Sequence, residues 1–126
     1  MKWIATINKI GRQAIEPENE MVLLFGDNVS PDLVEVSVIQ KFDQQIPLDN
    51  FVFNTGDTIT IGGKTYVANY VGAMVENNIK TLGHVTFFFT ALNSKKPLAN
   101  AIYLTSSASQ RLPVFKVDDH IVYEHI

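Results

Sequence analysis

Thr58-Ile59-Thr60-Ile61-Gly62-Gly63-Lys64-Thr65-Tyr66-Val67 is the stretch whose pattern decides the fold. Two short runs rich in β-branched and aromatic residues flank a Gly-Gly pair, the composition of a two-residue hairpin turn. That turn sets the register: Ile61 opposite Lys64, Thr60 opposite Thr65, Ile59 opposite Tyr66 and Thr58 opposite Val67. Directly opposed residues share a face. Ile59 and Tyr66 therefore point inward, while Thr58, Thr60 and Thr65 point largely outward. Asn54-Thr55-Gly56-Asp57 upstream is a turn that feeds the first strand.

The same reading extends in both directions. Trp3 to Ile10 is β-branched and aromatic and stops at Gly11. Met21 to Phe25 is a continuous apolar run closed by Gly26-Asp27-Asn28, as in a strand covered on both faces. Ser30-Pro31-Asp32 carries the marks of a helix start, predicting one turn over Pro31 to Val34 with Ser30 as its cap. A strand across Val36 to Phe42 follows. Only Ala73 to Leu82 breaks the β pattern. There Met74, Val75, Ile79 and Leu82 recur at helical spacing, Glu76 precedes Lys80 by one turn, and Gly83 supplies a left-handed stop. Beyond it, Val85 to Thr90 is a strand with Val85, Phe87 and Phe89 on one face. Asn93 to Pro97 is a turn, Ala101 to Leu104 a strand, and Thr105 to Gln110 a polar loop. Val114 to Val117 and Ile121 to Tyr123 form a closing pair across Asp118-Asp119. No internal repeat, linker or low-complexity stretch stands out. Many short strands and one substantial helix, over about 73–82, predict an all-β domain spanning 1–126: a closed or nearly closed barrel.

Composition narrows the function. The chain has 126 residues, 46% hydrophobic and 18% charged, enough apolar surface for one packed core. Ten Lys+Arg against thirteen Asp+Glu give a net charge of -3, so no basic footprint awaits nucleic acid or an anionic membrane. The absence of Cys excludes a disulfide scaffold, a thiolate metal site and a cysteine nucleophile. The N-terminus turns polar too early for a signal peptide, and no apolar run is long enough to span a bilayer. These features predict a cytoplasmic protein without membrane insertion.

Histidines are the scarcest reactive groups. His120 and His125 are an odd number of residues apart, which on a strand sends their rings to opposite faces, so they are not expected to share a metal. His84 follows the helix stop, among carbonyls that lack intrahelical partners. It reads either as a junction residue hydrogen-bonded to backbone or as a phosphoryl acceptor or stabiliser. Phosphate-binding glycine loops, dinucleotide fingerprints and nucleophile elbows are absent, and no metal or organic cofactor is implied.

Val71-Gly72-Ala73-Met74-Val75-Glu76-Asn77-Asn78-Ile79-Lys80-Thr81-Leu82-Gly83-His84-Val85-Thr86 carries more than composition does. With Thr6-Ile7-Asn8-Lys9-Ile10-Gly11, Pro31-Asp32-Leu33 and Ala91-Leu92-Asn93, it resembles the glucitol/sorbitol-specific enzyme IIA of the bacterial phosphoenolpyruvate-dependent sugar phosphotransferase system (PTS). The resemblance covers nearly the whole chain, and Leu-Gly-His-Val-Thr is its most specific block. It implies a cytoplasmic phosphocarrier. A histidine would take a phosphoryl group from the histidine-containing phosphocarrier protein and pass it to a sugar-specific IIB domain of a IIB/IIC permease. Counting on from Asp32-Leu33, the family's acceptor histidine falls on Gln40, and Asp43 stands where the family tends to have glycine. A carboxamide nitrogen is delocalised into its carbonyl and is not a nucleophile.

Three readings follow. The chain is a phosphocarrier whose acceptor lies elsewhere, with His84 the candidate. It is a catalytically silent relative that regulates or binds a ligand or protein. Or the likeness is one of fold alone, and the chain is an interaction module. The apolar strand Val85 to Phe89 leaves room for a homodimer.

Overall fold

The computed structural model describes residues 1–16, 18–92, 96–106 and 112–126. Its strands are β1 (Lys2–Ile10), β2 (Met21–Phe25), β3 (Ser37–Phe42), β4 (Thr58–Ile61), β5 (Lys64–Val71), β6 (Val85–Phe88), β7 (Ala101–Thr105) and β8 (His120–Glu124). They close into a barrel in the order β1-β3-β2-β6-β7-β5-β4-β8, with β2–β3 and β6–β7 parallel. Among the described residues, two α-helices interrupt them: α1 (Pro31–Val34) and α2 (Val75–Leu82).

The Gly62-Gly63 hairpin has the predicted register, and both glycines take positive φ (57° and 81°), as a type I′ turn requires. Ile59 and Tyr66 are buried while Thr60 and Thr65 bond each other outside, Oγ1 to Oγ1 at 2.9 Å. The interior is aromatic. Trp3, Phe51, Phe53, Phe87, Phe89 and Tyr123 are each at most 2% exposed and pack largely edge to face.

Several expectations are corrected. Val114 to Val117 is not a strand, and β8 pairs instead with β1 and β4, closing the barrel. The helix begins at Val75 rather than Ala73. Its apolar stripe is only half used: Val75 and Ile79 are buried, but Met74 and Leu82 are exposed. Glu76 Oε1 accepts from the Phe53 N–H (3.2 Å), tying α2 to the barrel rather than to Lys80. Ser30 stands at the cap of α1 without a side-chain capping bond. The turn over 93–97 and the loop over 105–110 lie largely outside the described residues.

The barrel also contains a repeat. Exchanging β1 with β5, β2 with β6, β3 with β7 and β4 with β8 reproduces the strand order and every parallel or antiparallel pairing. The bulges match as well, skipping Asn8 in β1 and Asn69 in β5. So do irregular backbone bonds. Gly11 N donates to Ser37 O (2.9 Å) as Gly72 N does to Ala101 O (2.8 Å), and Ile7 N to Asp119 O (2.9 Å) as Ala68 N does to Asp57 O (2.7 Å). A Cβ on either Gly11 or Gly72 would collide with the backbone carbonyls leading into β3 or β7. In sequence the relation is faint: Val52-Phe53, Asp57 and Ile59 recur as Val114-Phe115, Asp119 and Ile121. An approximate two-fold axis thus relates the halves, meeting at Gly62-Gly63.

Candidate functional site

At one end of the barrel, the loop leaving β2, the end of β3 and the last turn of α2 enclose a cleft of about 880 Å³. Phe25, Leu33, Phe42, Leu48 and Ile79 supply apolar walls, with Lys41, Lys80 and Asp27 among the charged groups. A cleft of this size and mixed lining is what a ligand or a partner's side chain requires.

Gln40 belongs to the floor of this cleft. It faces Ile7 across the β1–β3 ladder and is 1% exposed. Its Nε2 donates to Gly83 O (2.9 Å), and its Oε1 accepts from the Tyr123 hydroxyl (2.8 Å). The carboxamide therefore joins the C-cap of α2 to the barrel core. Burial pushes the Tyr123 hydroxyl far above the usual phenol range, with the bond to Gln40 opposing in part. Tyr123 thus remains a neutral donor. Sequence reading missed this partner, although a tyrosine facing into a barrel always has a hydroxyl to satisfy.

Gly83 ends α2 in the left-handed conformation (φ 63°), as its position predicts. The next residue, His84, is buried at 8% exposure. Its Nδ1 lies 2.8 Å from Leu24 O, Asn100 Nδ2 lies 2.9 Å from its Nε2, and its ring stacks on Phe25 at 4.0 Å between centroids. Both ring nitrogens are thus engaged inside the protein. The backbone partner is Leu24 O of β2 rather than one of the free carbonyls at the end of α2.

Asp43 is turned away from the cleft: its Oδ1 caps the Gln45 N–H (2.9 Å), and it lines a neighbouring groove. His120 and His125 are not brought together. His120 opens β8, exposed and opposite Thr6. His125 Nδ1 pairs with Asp57 Oδ2 at 2.7 Å, a contact that no local sequence pattern announces. The Asp57 carboxylate is 3% exposed and also accepts from Asn54 N and Ile126 N. Burial alone would raise its pKa, but these donors and the His125 charge outweigh it and hold the carboxyl below its ordinary range. Among the described residues, no three His, Cys, Asp or Glu side chains are grouped to hold a metal ion. No helix among them is long and apolar enough to cross a membrane.

Comparison with known proteins adds a consistent finding. The sequence profile of the family described as PTS system glucitol/sorbitol-specific IIA component matches residues 2–122. The PTS system glucitol/sorbitol-specific EIIA component of Escherichia coli K12 is 30% identical over 89 residues, covering 70% of this chain and 69% of that protein. Its counterpart from Shigella flexneri is 29% identical over the same extent. The crystal structure of a PTS system IIA component from Enterococcus faecalis V583 superposes with a TM-score of 0.83 at 28% identity, covering 95% of this chain and 98% of that one.

Proposed function

The chain belongs to the glucitol/sorbitol-specific IIA family of the PTS, and from that premise we propose that it is a docking component that takes no phosphoryl group at position 40. Membership implies work alongside other PTS components. The partners fitting this reading are the histidine-containing phosphocarrier protein and a sugar-specific IIB/IIC permease, met at the cleft over Gln40. The observation that carries the reading is the state of Gln40, whose two amide ends are committed to Gly83 O and the Tyr123 hydroxyl. An acceptor must offer a lone pair in line with the phosphorus, and transfer then depends on positioning and charge stabilisation. A delocalised amide offers none. Nor does His84 compensate, because a ring bonded at both nitrogens beneath the surface cannot meet a partner's phosphohistidine.

The experiment is incubation with phosphoenolpyruvate and the general PTS proteins, read by intact mass. The native chain is expected to gain no phosphoryl group, and Gln40→His to gain one. Asp43→Gly added to that variant is expected to change little, since Asp43 faces the adjoining groove. Phosphorylation of the native chain, lost in His84→Ala, would overturn the reading and make the protein a relay with a displaced acceptor. Failure of Gln40→His to accept, together with no measurable binding of the phosphocarrier, would remove the docking role as well.

A further inference from the structure

We propose that His84, as the neutral Nδ1–H tautomer, is the positioning residue of the cleft, fixing its Phe25–Gly26 wall against the last turn of α2. A carbonyl oxygen only accepts, so the 2.8 Å contact with Leu24 O places the proton on Nδ1. Asn100 Nδ2 then donates to the Nε2 lone pair at 2.9 Å while also reaching Thr86 Oγ1 at 3.3 Å, which sets the ring's rotation. The ring lies nearly parallel to Phe25 (17° between planes) and supports it from below.

Directly above, two chain segments touch. Gly26 N donates to Leu82 O at 2.9 Å, and a Cβ placed on Gly83 would come within 2.9 Å of Gly26 Cα. Gln40 holds the same turn from the other side through Gly83 O. Phe25, Gly26, Leu82 and Gly83 all line the cleft, so a slip between the exits of β2 and α2 changes its width. His84 bonds the β2 side at Leu24 and is covalently attached to the α2 side at Gly83. Among the described residues it is the side chain that ties both walls.

The opposite end of the barrel supplies an internal control. There Phe89 N, the two-fold counterpart of Gly26 N, donates to Glu20 O at 2.9 Å, one residue beyond the position that corresponds to Leu82. The pairing that places Leu24 opposite Val85 and Val22 opposite Phe87 puts Met21 in the position of His84, so no imidazole holds that end.

The test uses the full ¹⁵N-labelled chain. Imidazole two-bond spectra of the native protein are expected to show a neutral His84 with its proton on Nδ1. Amide exchange at Gly26 is expected to quicken about ten-fold or more in His84→Ala, the scale of one lost hydrogen bond with its local packing. His84→Asn places an amide donor near the Nδ1 position and is expected to restore most of the protection. Phe89 exchange should be equal in all three chains. A proton on Nε2, an imidazolium at neutral pH, or unchanged Gly26 exchange would overturn the proposal. So would equal acceleration at Gly26 and Phe89, because that marks a general loss of stability. If His84→Ala fails to fold, the native spectrum and His84→Asn still decide. The consequence for docking rests on the function proposed above. A loosened Gly26 with unchanged phosphocarrier binding would sink that function and leave the positioning role standing.

Discussion

Single residues set the chemistry, and the two-fold relation offers a reference for each. Ser37 opens β3 fully buried, with an Oγ that has no hydrogen-bond partner among the described residues. Its counterpart opening β7 is Ala101, equally buried. An unsatisfied buried hydroxyl costs about 1–3 kcal/mol, so Ser37→Ala is expected to stabilise the protein by about 1 kcal/mol. Denaturant unfolding measures this, and a loss of stability would show that the hydroxyl has a partner. Asp57 is the opposite case, a buried carboxylate with every donor supplied. Its folded pKa lies below the ordinary 3.8, so its contribution is present above that value and fades as pH falls through the lowered one. Stability of the native chain should therefore drop as pH falls below about 4, and Asp57→Asn should show a shallower decline there. Parallel profiles for the two chains would refute the assignment.

Elements show which signals were local enough to be legible in the sequence. The Gly62-Gly63 hairpin and the Gly83 stop were, because turn type and a left-handed cap depend on the few residues that form them. The strands β1 to β7 were for the same reason, each carrying its own pattern between turn residues. Val114 to Val117 misled, since a β-branched run reads as a strand whether or not a neighbour pairs with it. Here β1 and β4 had already taken β8, and Phe115 packs against Phe89 without a ladder. Met74 and Leu82 misled in the opposite sense: helical spacing marks a face but not how much of it the barrel covers. At the site, Gln40 and His84 were legible as positions through family resemblance, while their partners were not. Tyr123, Leu24 and Asn100 lie far from them along the chain, and only the closed barrel brings them within 3 Å.

At the scale of the whole molecule, the repeat explains how an irregular strand order closes without an exposed edge. Each half contributes an antiparallel pair and a parallel pair; of the four ladders between the halves, β2–β6 and β4–β8 each map onto themselves, and the other two are exchanged by the two-fold. One of these exchanged joins is the Gly62-Gly63 turn between β4 and β5. The other is the pairing of β8 with β1, where Met1 N donates to His125 O (2.9 Å) and His125 N to Met1 O (2.8 Å). These joins are two-fold equivalents, so the barrel needs a covalent link at only one of them. A chain opened between Gly62 and Gly63, with residue 126 joined to residue 1 by a short glycine-rich linker, is therefore expected to fold to the same barrel. Loop-closure entropy changes only slowly with loop length, so its stability should fall by no more than about 1–3 kcal/mol. The linker leaves the Asp57 contacts to His125 and Ile126 in place, since both involve groups other than the exposed Ile126 side chain. Cooperative unfolding and a matching amide spectrum would establish equivalence of the joins. Opening the same joined chain between Ile39 and Gln40 cuts β3 inside its ladder with β1, where its ladder with β2 ends, and should leave no folded protein. If both permutants fold equally well, strand order rather than the two-fold join is what the barrel requires. If neither folds, the Gly62-Gly63 turn is indispensable, and the two joins are alike in geometry but not in energy.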